Sequence, residues 1–196
     1  KLIKGILVNV RGERFLNEDG YHGRTADILM DQPDARAYLI LDSETFEYPL
    51  RPDAKNAFID GWETVQEMEL ALELPAGSLV ETLRRYNEAA AGGRDPEFNK
   101  HSKWLKPLNV PPYAAFDVSY ESLNYVFLTL GGLKTTVDAQ VLDQSGRPIA
   151  GLYAAGACVS SIPQDGRGYG SGMSLGPGSF YGRVAGRNGA RETVNE

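Results

Sequence analysis

The sequence is poor in the residues that build covalent or metal scaffolds. Its 196 residues include one cysteine, Cys158, and two histidines, His22 and His101. A lone cysteine excludes a disulfide framework and a thiolate metal cluster. Two histidines so far apart do not form a histidine metal site, so no metal is expected. Long apolar runs are also missing, which argues against a membrane-spanning helix. Lys1–Val10 lacks a signal peptide with a cleavage site, and the expected location is cytoplasmic. The formal net charge is −6, with no Lys/Arg cluster to offset it, which argues against nucleic acid as a partner. No repeat of 20–50 residues occurs. The chain opens at Lys1, without Met and directly in strand-like sequence, and we expect a piece of a longer protein. With 42% hydrophobic and 23% charged residues it has an ordinary globular composition, enough for one large or two small domains.

The pattern along the first part is mixed. Gly5–Val10 is β-branched and apolar, Arg11-Gly-Glu13 is a turn signal and Arg14-Phe-Leu16 resumes a strand, which predicts a hairpin. Asn17–Arg24 is a polar loop. Thr25 is placed to cap a helix that runs through Met30 and stops before Pro33. Ala37–Asp42 reads as a strand, and Ser43 or Glu44 as the start of a less regular helical region reaching about Leu74. Between Pro75 and Gly93 a helix is expected, with Ser78 and Glu81 as a capping box and Leu79, Leu83, Tyr86 and Ala90 on one face. Arg94–Pro112 is loop-like, with Phe98 and Trp104 as expected anchors.

A boundary is expected near Tyr113–Asn124. Tyr120–Leu130 and Val137–Leu142 read as strands, Asp143–Gly146 as a turn and Gly151–Ala155 as a buried strand. Eleven of the 22 glycines fall in the last 46 residues, which suggests a main chain in close contact with a ligand. In the segment Gly166–Gly186, Ser174 is placed as an N-cap and Pro177 in the first helical turn. Gly178, Gly182 and Gly186 leave one helix face bare. A helix N-terminus presents free N–H groups and a positive dipole end, which suits the N1/C2=O edge of a flavin, where negative charge collects on reduction. The chain has neither a Walker-type phosphate loop nor the G-x-G-x-x-G fingerprint that holds a dinucleotide pyrophosphate.

Several segments together resemble the C-terminal portion of the fumarate reductase/succinate dehydrogenase flavoprotein superfamily, and within it the 3-ketosteroid Δ4-(5α)-dehydrogenase branch. They are Gly5–Asn9 with Gly12–Glu18, Leu79–Ala89, Pro111–Ala114, Thr129–Leu133 and Gly151–Ala157. The resemblance implies an α+β cap domain over residues 1–120, followed at 121–196 by the C-terminal part of an α/β, Rossmann-like FAD-binding domain. The N-terminal part of that domain, with its fingerprint, is expected to lie outside this chain, and the chain alone is expected to be inactive.

The same resemblance implies FAD as cofactor. Gly156 would let the chain approach the ribityl group, beside Ala157, where many relatives carry Glu. Ser174 and Leu175 would offer backbone N–H groups to the flavin. Leu128 stands where fumarate reductases carry a substrate-binding His, and Tyr169 stands where they carry an Arg for the substrate carboxylate. Arg167 keeps a dicarboxylate in play, but a 3-keto substrate, a steroid ketone, is the expected ligand. Its carbonyl would be held by Tyr169 and the backbone at Gly172. Ser171 would take the proton beside the carbonyl, relayed by Tyr21, with His22 a rival, and the hydride would pass to flavin N5. The alternatives are a fumarate-reductase-like or other enone reductase, and a non-catalytic cap fragment that binds a partner. Cys158 reads as a small buried residue, and Glu18 with Arg24 as a solvated pair or a proton path.

Overall fold

In the computed structural model, residues 2–47, 57–123, 125, 128–163 and 165–192 are described. The chain forms two compact units, residues 1–126 and 127–196. The first holds an antiparallel four-stranded sheet of β1 (Ile6–Asn9), β2 (Ala37–Asp42), β3 (Phe58–Trp62) and β4 (Tyr113–Asp117), in the order β1-β2-β4-β3. Three helices accompany it: α1 (Thr25–Met30), α2 (Val65–Ala71) and α3 (Ser78–Ala91).

Both faces of β1 and β2 are buried, which explains why they read as apolar runs rather than alternating ones. Ile6, Val8, Tyr38, Ile40 and Ala115 point to one face, where they meet Met68 of α2 and Leu79, Leu83 and Tyr86 of α3. Leu7, Ala37, Leu39, Leu41 and Phe116 point to the other, against Leu16 and Leu29. The expected helical face Leu79, Leu83, Tyr86, Ala90 is buried as predicted.

Other expectations are corrected. Arg14–Leu16 contributes one bridge, Val8 to Arg14, and β1 pairs instead with β2. The stretch after Asp42 is a turn followed by strand β3 and the short helix α2, not one helical region, and its residues 48–56 lie outside the described ones. β3 went unrecognised because as an edge strand it is mostly exposed and lacks an apolar alternation. Thr25 lies inside α1, whose N-cap is Arg24. Tyr120–Leu123 forms no strand, while β4 precedes it; residues 124, 126 and 127 lie outside the described ones. In the 94–112 loop the fully buried anchors are Asp95, Lys100, Leu105 and Leu108 rather than Phe98 and Trp104.

The capping of α3 is also different. Its N-cap is Gly77, in the left-handed region, and the carboxylate of Glu69 in α2 accepts from the N–H groups of Gly77, Leu79 and Val80 at 2.5, 2.8 and 3.2 Å. Ser78 Oγ is buried with no hydrogen-bond partner among the described residues. The capping box that does form is Thr64 with Glu67, at the start of α2. Gly12 explains the burial of Ser78: it holds φ +72°, and a Cβ there would sit 2.3 Å from Ser78 Oγ, so the turn after β1 closes directly onto α3.

Four charged side chains are buried together. Arg14, Glu18, Asp95 and Lys100 are each at most 2% exposed. The Arg14 guanidinium donates to both oxygens of Glu18 at 3.1 and 2.9 Å and to Asp95 at 3.0 Å, while lying over the rings of Tyr86 and Phe98. Glu18 also accepts from Leu7 N–H, and Lys100 Nζ donates to the Gly5 carbonyl and lies 3.4 Å from Glu18. Glu18 is therefore neither solvated nor paired with Arg24, which corrects that expectation. Burial opposes the charge on Arg14, but hydrogen bonds and attraction from Glu18 and Asp95 outweigh it and raise its pKa. Burial pushes the Asp95 carboxyl up, yet Arg14 and the N–H groups of the following turn outweigh that and hold it below 3.8. Lys100 is displaced downward, by burial first.

Two predictions follow from these contacts. Asp95→Asn leaves Arg14 short of a buried partner and is expected to cost about 3 kcal/mol at pH 7, read by urea unfolding. Because the folded pKa of Asp95 is depressed, its contribution is complete above the unfolded value and is lost as pH falls through the lower folded one. The gap between wild type and variant should therefore narrow below about pH 4; a gap constant from pH 7 to pH 3 would count against the account. Glu69→Ala is expected to cost about 1–2 kcal/mol by loss of the α3 cap, whereas Ser78→Ala should cost far less, the reverse of the ranking that the sequence suggests.

Candidate functional site

The second unit is built from a hairpin, β5 (Gln140–Leu142) with β6 (Pro148–Tyr153), and a long helix, α4 (Leu175–Glu192). The expected turn between the strands closes through Gly146 N–H to Asp143 O. β6 is exposed along most of its length and not buried as expected. Asn188 of α4 donates to the Asp138 carbonyl, and Gln140 donates to Glu192, which ties the end of the helix to the hairpin.

Glycine sets the close approaches. After β6 the chain enters a short turn, Gly156–Cys158, with Gly156 at φ +81°. A Cβ on Gly178 would lie 3.2 Å from Gly156 Cα, so the first turn of α4 packs on this turn backbone to backbone. Among the described residues a Cβ on Gly182 or Gly186 would meet nothing within 4 Å, so there the bare stripe makes a close contact at its first member, Gly178. The segment Thr129–Leu133 runs beside 158–161: Leu133 N–H donates to Cys158 O, Ser160 N–H to Leu133 O and Ser161 N–H to Leu130 O. Gly132 is required there, since a Cβ would come within 2.5 Å of the Val159 carbonyl carbon. Cys158 is exposed rather than buried, with Sγ 3.3 Å from Ala155 O.

These segments enclose a cavity of about 580 Å³. Gly156, Ala157, Tyr169 and Ser174 line it, which brings together four of the residues singled out in the sequence. Ser171, Gly172 and Leu175 lie beside these in the chain but are not among its lining residues, and Arg167 is not either. Tyr21 belongs to the first unit, half-buried, with its ring against exposed His22 at 4.8 Å between centroids. Its loop is held by Asn17, which donates to Asn99 O, and by Asp19, which accepts from His101 N–H.

The sequence reading missed Tyr181 and the segment Thr135–Val137, which also line the cavity. Tyr181 carried a signal: Ser174, Pro177, Gly178 and Tyr181 stand at i, i+3, i+4 and i+7, one face of a helix. Thr135–Val137 reaches the site by the fold of the chain and carried none. Not one charged side chain lines the cavity among the described residues. Tyr169 OH lies 3.0 Å from Ser174 Oγ. At the start of α4, Gly176 and Gly178 donate to Gly172 O and Ser174 O, and Pro177 has no N–H. The amides of Ser174 and Leu175 have no hydrogen-bond partner among the described residues.

Residues 4–175 match the FAD binding domain family. The chain belongs to this family. It is 31% identical over 141 residues to vinyl phenol reductase of Lactiplantibacillus plantarum, covering 71% of this chain and 28% of that protein. It is 32% identical over 212 residues to 4-oxocyclohexanecarboxylate 2-dehydrogenase of Sinomonas cyclohexanicum, covering 93% and 36%. Among solved structures it is similar to 3-ketosteroid-Δ4-(5α)-dehydrogenase of Rhodococcus jostii RHA1 in complex with 4-androstene-3,17-dione, with 43% identity and a TM-score of 0.81 over 96% of this chain and 39% of that one. The chain thus spans about a third of the length of each of these proteins.

The residues present fit the family's cofactor. Among the described residues a Cβ on Gly156 or Gly172 would meet nothing within 4 Å, so the backbone there is open to a ligand, and two amides without a partner among those residues stand at the adjoining helix N-terminus.

Gly132→Ala is expected to destabilise this chain by about 1–3 kcal/mol, because backbone lies where the methyl must go. Gly182→Ala, in a helix interior with open space around it, should be neutral or stabilising by up to about 1 kcal/mol. Paired denaturant curves separate the two; equal effects would mean that the close approach at Gly132 does not constrain the unit.

Proposed function

We propose that the protein carrying this chain is an FAD-dependent oxidoreductase that dehydrogenates a 3-keto substrate, a 3-ketosteroid, at a carbon–carbon bond beside the carbonyl. The observation that carries the reading is Tyr169: its phenol stands on the wall of a cavity of about 580 Å³ whose described lining holds no charged side chain. Such a wall suits a neutral, largely apolar ligand with one hydrogen-bonding group. A dicarboxylate calls for charge-assisted, preferably bidentate donors, and Leu128 and Tyr169 supply none. The steroid complex of the Rhodococcus jostii relative supports the same ligand class.

When bound, the flavin supplies the two-electron acceptor. Tyr169 donates a hydrogen bond to the carbonyl oxygen as negative charge develops there, which acidifies the neighbouring carbon. The amides of Ser174 and Leu175 stabilise negative charge on the cofactor side. Ser171 is assigned the proton and Tyr21 its onward transfer, on the sequence pattern alone. Residues 1–120 are assigned as the cap domain, and 121–196 as the C-terminal part of the FAD-binding domain.

A second reading has some support, since similar proteins include reductases of other unsaturated substrates. The full-length, flavin-loaded protein separates the two when assayed with a 3-ketosteroid and an artificial electron acceptor. Tyr169→Phe is expected to lower kcat about 100-fold, the scale of one lost oxyanion donor, with KM little changed. Ser171→Ala should also lower kcat. Wild-type rates in both variants would remove the site assignment, and turnover of fumarate but no ketosteroid would favour the second reading.

A further inference from the structure

The hydroxyl of Ser174 lies 3.0 Å from the Tyr169 phenol oxygen, within hydrogen-bond distance. The two residues stand five apart: Tyr169 ends one turn, and Ser174 follows the next, at the start of α4. Tyr169 N–H donates to Gly166 O and Met173 N–H to Gly170 O, so consecutive turns fold the chain back and bring the phenol over the helix start. Both residues line the cavity. Ser174 Oγ does not cap α4 by the usual route: Pro177 has no N–H to give it, and Gly176 N–H is taken by the Gly172 carbonyl.

The geometry points to Ser174 as a positioning residue for Tyr169, a role that rests on the proposed carbonyl-binding function of that tyrosine. A phenol has one hydrogen. If Tyr169 gives it to a ligand carbonyl, the 3.0 Å contact requires Ser174 to be the donor, with the phenol oxygen accepting. Accepting one hydrogen bond polarises the O–H group and strengthens the bond that it donates. The contact also fixes the direction of the phenol O–H into the cavity. Ser174 thereby joins both halves of the site: its backbone faces the cofactor and its hydroxyl sets the donor that meets the substrate. No proton is transferred in this arrangement.

The test uses the full-length, flavin-loaded protein with a 3-ketosteroid, rates being expressed per bound flavin. Ser174→Ala keeps the backbone amide and removes only the hydroxyl. It is expected to lower kcat about tenfold, the scale of one neutral hydrogen bond, with KM within about twofold. Ser174→Thr restores the hydroxyl and should recover most of the rate. In a Tyr169→Phe background, Ser174→Ala should have no further effect, since the oxygen that it serves is gone. An equal tenfold loss in that background, a loss confined to KM, or an unchanged kcat in Ser174→Ala would overturn the inference while leaving the carbonyl reading intact. A wild-type rate in Tyr169→Phe alone would instead overturn the carbonyl reading itself.

Discussion

The first unit is arranged around a neutral quartet of buried charges, Arg14 and Lys100 against Glu18 and Asp95. Placing ions in a protein interior costs several kcal/mol each, and the cost is offset only when every group is paired and hydrogen-bonded. That condition is met here by elements distant in sequence. Glu18 takes the Leu7 amide of β1, Lys100 takes the Gly5 carbonyl, and Asp95 takes the amides of Glu97 and Lys100 in its own turn. The quartet therefore fixes two connecting stretches, one after β1 and one after α3, to the start of β1 at once, with Tyr86 of α3 as its aromatic wall. The Glu18 carboxylate, held by Arg14, Lys100 and a backbone amide, is part of the frame of this unit.

What could be read in the sequence of this unit was whatever depends on near neighbours. The strand Ala37–Asp42 and the apolar face of α3 are set by period and composition, and the structure reproduces both. What could not be read was long-range satisfaction of polar groups. Ser78-x-x-Glu81 has the local form of a capping box, yet Glu69 takes the amides because Gly12 presses against Ser78 and the serine hydroxyl has no room to turn. Likewise Asp42 is fully buried because it accepts from Asn109 and Val110, 67 and 68 residues away. No local pattern announces such a partner. The edge strand β3 was illegible for a different reason: exposed on most positions, it has no alternation to see.

In the second unit the legible part was glycine. Its concentration marked the segment where main chain meets main chain, and Gly178 against Gly156 is such a contact. The four-residue glycine stripe promised more than it delivers, since Gly182 and Gly186 face open space among the described residues. The N-cap signal located Ser174, and helical phase carried enough information to find Tyr181. The bond between Tyr169 and Ser174 was outside its reach, because it depends on the turn Gly170–Met173 folding a five-residue separation back on itself, and turn geometry around glycine is the least constrained part of any chain.

The charge of the cavity wall is the strongest constraint on what the site can hold. A polar group brought into such a place without a partner loses roughly 2–7 kcal/mol, and an unpaired carboxylate loses more. One phenol can satisfy one carbonyl oxygen; it has no second donor with which to hold a carboxylate by its two oxygens. A ligand with a single ketone and a broad apolar body asks of the wall only what Tyr169, Leu128, Val159 and Ile162 present.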